Sequence, residues 1–527
     1  MGLTYGEIFP MKFKDLLLPA GLTLITVWAV QTFLFPKKGA SDASSTIRSG
    51  QSFVAPTSKI ELKPLNKEID FIDEKRSKKA IITEVETDLA NYVFTSDGAT
   101  LDRVEIKRVV NGKQRLINTV FPVIQNEKEN GCFLVALEEK TPYYYTFIGR
   151  DETDSEVNIR YRYDSPKNDI AVSKIYTIFK ETYKVNLTVE LEPKKSLSDP
   201  VQARIFFPSP FTPEIPGGPY SVFVNEKGSI KRVVGNKINE QEGLFNPQLF
   251  GGDTKYFLHT MVEDQDSFVN RAYYREKSSE KLFAILEGPA VTQRTKWTVS
   301  FYFGPKEEAA MALVDARLFQ TLDYSGILAP VSKFLLAFLK FLHKYVGNYG
   351  LAIILLTLLM KLLLLPFTMK AEKGIKQRAE LQKKLKYVEQ KYKHDKETLN
   401  QAKAELIKKH GMPGIGGCLP MFLQMPIFFA LSRVLSSSIE FYQAPFMFWI
   451  TDLSAKDPYY ILPVLLISTM LLQAFTGEKS QQMTIIVMAL VFGAFVSSLS
   501  AGLALYIMVS SLLGVVQTVL QRRLTTA

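Results

Sequence analysis

The sequence predicts a multi-domain membrane protein: six transmembrane α-helices, an N-terminal anchor plus a five-helix core, with an antiparallel β-sandwich domain between them. Three observations predict it. Apolar runs long enough to cross a bilayer occur near the N-terminus and repeatedly after residue 327. Residues 60–303 instead alternate apolar and polar positions in short segments. A basic segment, 370–409, is wedged between apolar runs, with thirteen Lys/Arg against six Asp/Glu.

The anchor is Leu16–Phe35, twenty residues without a charge. As a helix it rises about 30 Å, the thickness of the hydrocarbon core. A secretory signal has a shorter apolar region, about 7–15 residues, and ends on small residues. This run ends in Phe35-Pro36-Lys37-Lys38, so residues 1–37 read as a cytoplasmic N-terminus with an uncleaved anchor. Residues 38–57, rich in Ser, Ala and Thr, read as a linker.

Residues 58–322 form the β domain. Asn91–Thr95, Val104–Val110, Asn158–Tyr163 and Lys184–Leu191 alternate with period two, and Asp97-Gly98 and Asn111-Gly112 read as turns. Such strands have one wet face and one packed face. Residues Glu307–Leu322 read as a closing helix. The domain holds a single histidine, His259, and no clustered acid–base pair. Cys132 and Cys418 lie in different regions, so no disulfide framework is implied.

Residues 326–346 read as an amphipathic helix lying in the membrane interface. Lys333, Lys340 and Lys344 share one stripe opposite Leu335, Leu339 and Leu342. The competing reading packs this helix on the β domain. The core, 347–523, contains the spans Gly347–Phe367, Ile415–Leu435, Tyr459–Thr476, Met483–Leu499 and Gly502–Leu520, the last two joined at Ser500-Ala501. Basic loops orient spans toward the cytoplasm. The 370–410 segment is therefore cytoplasmic, both termini lie with it, and residues 38–346 lie across the membrane. The net charge of +11 gathers largely here, which implies a lipid bilayer as partner and no specific nucleic acid. Leu381, Leu385, Val388 and Tyr392, then Leu399–Ile407, predict a helical hairpin turning at His394-Asp395. It serves either to orient the chain or to dock a nascent chain or ribosome.

Lys361 is the charge that needs a reason. Apolar residues flank it on both sides, and an ammonium at a span's centre costs roughly 2.5–3.5 kcal/mol. Two accounts fit the segment: the side chain snorkels to cytoplasmic headgroups, or it lines a wet cavity that attracts something acidic. Thr357 lies one turn earlier on the same face. Gln424, Gln473, Ser510, Ser511 and Gln517 fall inside other spans, and together they favour a polar concavity. Each alone reads as a helix–helix hydrogen bond. Pro420 and Pro426 are expected to kink their span and loosen the packing. No metal-ligand spacing, phosphate loop or nucleophile motif appears, so no cofactor and no enzymatic role are expected.

Several segments, in order, resemble one family. They are Gly347-Asn348-Tyr349-Gly350 with Thr357, Lys361 and Leu365-Pro366; Gly416-Gly417-Cys418-Leu419-Pro420 with Gln424-Met425-Pro426; Asp452–Pro463; and Ala501-Gly502-Leu503-Ala504-Leu505-Tyr506. Lys255-Tyr256-Phe257-Leu258 and Gly304-Pro305-Lys306-Glu307 match outside the core. The chain is similar to the YidC-type insertases (Oxa/YidC/Alb family) of bacterial inner membranes, in the form with a large periplasmic domain. The resemblance implies a periplasmic β-supersandwich and a five-span core. Its hydrophilic groove opens to cytoplasm and lipid and is closed to the periplasm. Substrates are nascent membrane proteins, inserted and folded alone or with the Sec translocon, and cytoplasmic loops contact ribosomes. Lys361 stands where the family usually has arginine, which keeps the charge but loses the bidentate fork. Thr357, Gln424 and Tyr506 match groove positions, and Gln473 and Ser511 complete the expected set. Ile507 and Ser511 depart from the family pattern, and the tail after Arg522-Arg523 lacks a long basic extension. Two other functions compete: a secondary transporter of an anionic solute, against which the five core spans show no repeat, and a sugar-directed enzyme in the β domain.

Overall fold

The computed structural model describes residues 69–526 apart from 75–78, 111, 121–127, 139, 165–168, 195–199, 212–220, 227–228, 234–243, 279–280, 323–327, 394, 411–418 and 477–481. The anchor and linker expected at 1–57 therefore lie outside the described residues. The chain divides into two units, one within Lys38–Asp323 and one within Tyr324–Ala527.

In the first unit, period-two alternation builds three antiparallel sheets. The largest has nine strands, in spatial order Ser229–Val233, Ser221–Glu226, Phe250–Asp253, Phe257–Asp264, Thr295–Pro305, Lys184–Pro193, Ile170–Phe179, Glu156–Tyr163 and Thr146–Glu152. A five-stranded sheet comprises Leu244–Phe245, Arg271–Ser278, Lys281–Val291, Val201–Pro208 and Leu134–Leu137. A four-stranded meander runs from Ile82 to Asn118. Val185, Leu187, Val189 and Leu191 turn inward from one strand while Lys184, Asn186 and Glu190 remain less buried. The sheets meet through aromatic rings. Phe207 lies 5.2 Å from Phe301, Phe133 lies 4.7 Å from Phe301, and Phe94 of the meander lies 4.7 Å from Tyr176. Each buried aromatic of this size contributes about 1.5–3 kcal/mol.

Lys174 breaks the pattern. It occupies an inward position of its strand and is fully buried. Its ammonium donates to the carbonyls of Gly98 (3.0 Å), Ala99 (2.6 Å) and Phe133 (2.7 Å). The turn at Gly98 (φ +65°) and Ala99 (φ +44°) belongs to the left-handed region and supplies two of these acceptors. Burial pushes the Lys174 pKa well down. His259 is likewise a core residue. Its ring stacks on Phe303 at 4.0 Å, and its nitrogens meet Pro208 O (2.9 Å) and Thr119 Oγ1 (3.1 Å).

The expected closing helix is two pieces: a short helix α1 (Glu308–Ala312) and a 3₁₀ turn, Ala316–Thr321. Asp315 stands between them, its side chain accepting from Arg317 N at 2.8 Å, so an N-cap starts a second piece where periodicity alone would run one helix on.

The second unit is helical: α2 (Ala329–Val346), α3 (Tyr349–Lys391), α4 (Lys396–His410), α5 (Leu419–Ser437), α6 (Ile461–Thr476), α7 (Gln482–Val496) and α8 (Ala501–Thr526). Gly347 (φ +66°) ends α2 in a left-handed turn, and Asn348 caps α3. The helix does not stop at Pro366: α3 runs 43 residues, on into the charged arm. Proline removes one backbone hydrogen bond without breaking a long, otherwise well-formed helix, and the Thr368 hydroxyl donates to Leu365 O at 2.9 Å beside it. Pro420 also differs from expectation. It sits in the first turn of α5, where the missing N–H has no intrahelical partner, leaving Pro426 as the interior proline.

Asp395 stands between α3 and α4, while His394 of the expected turn lies outside the described residues. Asp395 accepts from Glu397 N (3.1 Å) and Thr398 N (3.2 Å), and Lys403 meets Glu389 at 2.6 Å across the arms. Protein covers part of the leucine stripe of α2. Ser332, Leu335 and Leu339 are buried in a helix that packs on α3 and α5, while Phe334, Phe341 and Tyr345 point outward.

Two described helices are long and apolar enough to cross a membrane alone, Tyr349–Pro366 and Ala501–Leu520. The apolar parts of α6 and α7, Ile461–Leu472 and Ile485–Val496, are shorter, so a count of six spans is not reached among the described residues.

Candidate intramembrane site

The site grows from the inward stripe of α3. Ile353, Leu356, Thr357 and Leu364 are buried, whereas Leu358, Leu359, Leu362 and Leu363 are exposed. Lys361, four residues after Thr357 and three before Leu364, is half-buried at the edge of the inward stripe. No aspartate or glutamate occurs in the spans 349–366, 419–437, 461–476, 482–496 or 501–520. Lys361 and Arg433 are the only charged side chains in these segments. Arg433 stands one turn before Ser437, whose hydroxyl donates to the Arg433 carbonyl at 2.6 Å.

Helix α8 gathers the polar residues of its neighbours. The Gln424 amide donates to the Tyr506 hydroxyl, joining α5 to α8. Thr469 and Ser511 share a hydrogen bond of 3.0 Å between α6 and α8. The Gln517 amide donates to Thr368 Oγ1 at 3.0 Å, joining α8 to α3 two turns beyond Lys361. The structure thus brings Gln424 and Tyr506 together, and places Thr357 and Lys361 on one side of α3. Thr357 itself is enclosed, its hydroxyl donating to Ile353 O at 2.7 Å, so it is a backbone-bonded packing residue rather than an open polar group. The Gln473 side chain lies outside the described residues. Sequence reasoning missed Thr368 and Thr469; threonine inside an apolar helix gives no signal until its partner is known.

The end of the bundle where α3 begins is sealed. The loop between α5 and α6 buries Ile439, Phe441, Tyr442, Ala444, Ile450 and Leu453. It also satisfies the first N–H groups of α8: Ala501 N donates to Ala455 O (2.6 Å) and Gly502 N to Leu453 O (2.8 Å). Asp457 binds Leu462 N at 2.7 Å and Trp449 Nε1 at 3.0 Å. Asp452 accepts from Ser454 N and Gln443 N, and burial raises its pKa. Lys340 of α2 meets Glu440 at 2.5 Å, so one lysine of the expected wet stripe instead ties α2 to this loop.

A cavity of about 570 Å³ in the first unit, lined by Asn246, Gln248, Glu263, Asp264, Asn270 and Arg317, is a weaker candidate. Its charges are spent internally: Arg317 Nε lies 2.9 Å from Asp315, and Asp264 accepts from Phe268 N and Val269 N.

Residues 341–527 match the family described as 60Kd inner membrane protein, and residues 82–338 match the YidC periplasmic domain. A protein named membrane protein insertase YidC from Citrifermentans bemidjiense is 30% identical over 458 residues, covering 82% of this chain and 84% of its own. The protein of the same name from Geobacter metallireducens is 27% identical over 96% of this chain and 97% of its own. Among solved structures, an active YidC insertase with its first transmembrane domain resolved aligns over 85% of this chain and 94% of its own, at 20% identity and a TM-score of 0.38. A putative aldose 1-epimerase from Escherichia coli K12 aligns over 43% of this chain and 100% of its own, at 7% identity and a TM-score of 0.29. Both family descriptions match in chain order, and relatives align over most of their length, so the chain belongs to the YidC family of inner-membrane protein insertases, whose members are not enzymes.

Proposed function

We propose that this protein inserts and folds membrane proteins by receiving the polar part of an entering segment at Lys361, in a hydrophilic groove open to the cytoplasm. The observation that carries this reading is the position of Lys361 on the bundle side of α3 in a set of spans without a single carboxylate. An ammonium with no carboxylate in those spans attracts acidic or polar groups from outside the bundle. Half-buried Thr368, Gln424 and Gln517 add polar groups on α3, α5 and α8, and Gln424 bonds the buried Tyr506 hydroxyl. The sealed loop end argues for access from the opposite end, the one continuous with the charged arm. Basic residues in that arm favour the cytoplasm, which puts both termini there and the β domain in the periplasm.

Short helices support the second half of the mechanism. At about 1.5 Å per residue, the 16 described residues of α6 rise about 24 Å and the 15 described residues of α7 about 22 Å, against a hydrocarbon core of about 30 Å. A bilayer matched to them thins locally. The segment held at Lys361 then has a shorter apolar path into lipid. The Sec translocon and the ribosome are partners on this reading, with the 370–410 hairpin as the cytoplasmic docking arm. Solute transport lacks support: five core spans do not divide into two inverted halves.

The test is a charge series at one position. Insertion of a small membrane protein with an acidic translocated tail, measured in proteoliposomes, should survive Lys361→Arg within about twofold. It should fall at least tenfold for Lys361→Glu, which corresponds to about 1.4 kcal/mol. Equal insertion by both variants would remove the charge from the mechanism.

A further inference from the structure

We propose that the tip Met447-Phe448-Trp449, in the loop joining α5 to α6, is a lipid anchor that sits in the headgroup layer at the sealed end of the bundle. The loop otherwise folds inward onto the helices, yet Phe448 is 86% exposed. Met447 stands out beside it, and Tyr459 and Tyr460 at the loop's far end are exposed as well. Phe448 also has φ +53°, a conformation that a bulky side chain disfavours. Such strain persists only where the surroundings enforce it, and here they do. Phe446 N donates to Ile450 O at 3.0 Å, Ile450 N donates to Met447 O at 3.2 Å, and the Trp449 indole donates to Asp457 at 3.0 Å. The tip therefore presents an apolar ring outward on a fixed backbone.

The occupant follows from chemistry and reach. Residues 444–450 carry no charge, and both ends of the loop continue into membrane-directed helices, which keeps the tip near the bilayer surface. Aromatic side chains concentrate in that layer. The neighbouring α2 exposes Phe334, Phe341 and Tyr345 and is tied to the same loop by Lys340–Glu440, while the Asn348 amide at the start of α3 donates to Phe446 O at 2.9 Å. A stable protein partner needs about 800 Å² on each side, more than a three-residue tip offers. Lipid fits. The inference depends on α5 and α6 spanning the membrane and not on the charge at Lys361.

Nitroxide accessibility in liposomes tests it. Full-length protein carrying Cys132→Ala and Cys418→Ser receives one spin label, at Phe448→Cys or at Met447→Cys, with Glu181→Cys in the β domain as an aqueous control. Both tip labels should be at least threefold more accessible to oxygen, relative to a water-soluble nickel chelate, than the control. A ratio equal to the control would place the tip in water, and low access to both reagents would place it against protein; either overturns the proposal.

Discussion

At the scale of single residues, the fold and the site were legible to different depths. Lys361 could be read from sequence because a charge inside an apolar run requires an explanation. Lys174 could not, although it is more deeply buried. Its three carbonyl partners come from residues 98, 99 and 133, and alternation along its own strand does not reveal them. Thr357 was readable as lying on the face of Lys361 but not as backbone-bonded. Gln424 and Tyr506 should be energetically coupled. A double-mutant cycle with Gln424→Ala and Tyr506→Phe, read by thermal unfolding in detergent, should give about 0.5–1.5 kcal/mol; additive losses would show the contact to be idle. His259 makes a pH prediction. Burial holds its pKa at about 3, below the ordinary histidine value, so the folded state disfavours its protonation. Its contribution is complete above about pH 6.5 and is lost as pH falls toward 3. Between pH 6.5 and 4 the intact protein should therefore lose β-domain stability more steeply than a His259→Phe variant, measured by urea unfolding at each pH.

At the scale of elements, periodicity placed the helices well and misplaced some of their ends. The hairpin turn was readable because the apolar spacing of Leu381, Leu385, Val388 and Tyr392 breaks off and resumes at Leu399. The continuation of α3 through Pro366 was not, since an interior proline can either kink a helix or end it, and the residues around it do not say which. What covers the leucines of α2 was not readable, because a stripe tells only that a face is apolar. Close approach sets another constraint. A Cβ at Gly350 would fall 2.0 Å from the Phe446 ring, so the start of α3 and the sealing loop touch through a hydrogen atom. Gly350→Ala should therefore destabilise the bundle by about 1–3 kcal/mol despite alanine's better helix propensity. A raised melting temperature in this variant would contradict the packing at the sealed end.

At the scale of the whole molecule, composition separated a polar β unit from an apolar helical unit, and the structure divides the chain between Asp323 and Tyr324. The number of sheets was not readable, because strand pairing across distant segments leaves no local mark. The division predicts that insertion belongs to the helical unit. A chain lacking residues 58–322 should retain at least half of its insertion activity in proteoliposomes, while complete loss would make the β domain part of the machinery. The central claim is that Lys361 faces water reached from the cytoplasm, and thiol labelling tests it most directly. In Cys132→Ala, Cys418→Ser protein, Lys361→Cys should react with a membrane-impermeant maleimide added from the cytoplasmic side of sealed vesicles. Protection from that side, with labelling only after detergent solubilisation, would contradict the account.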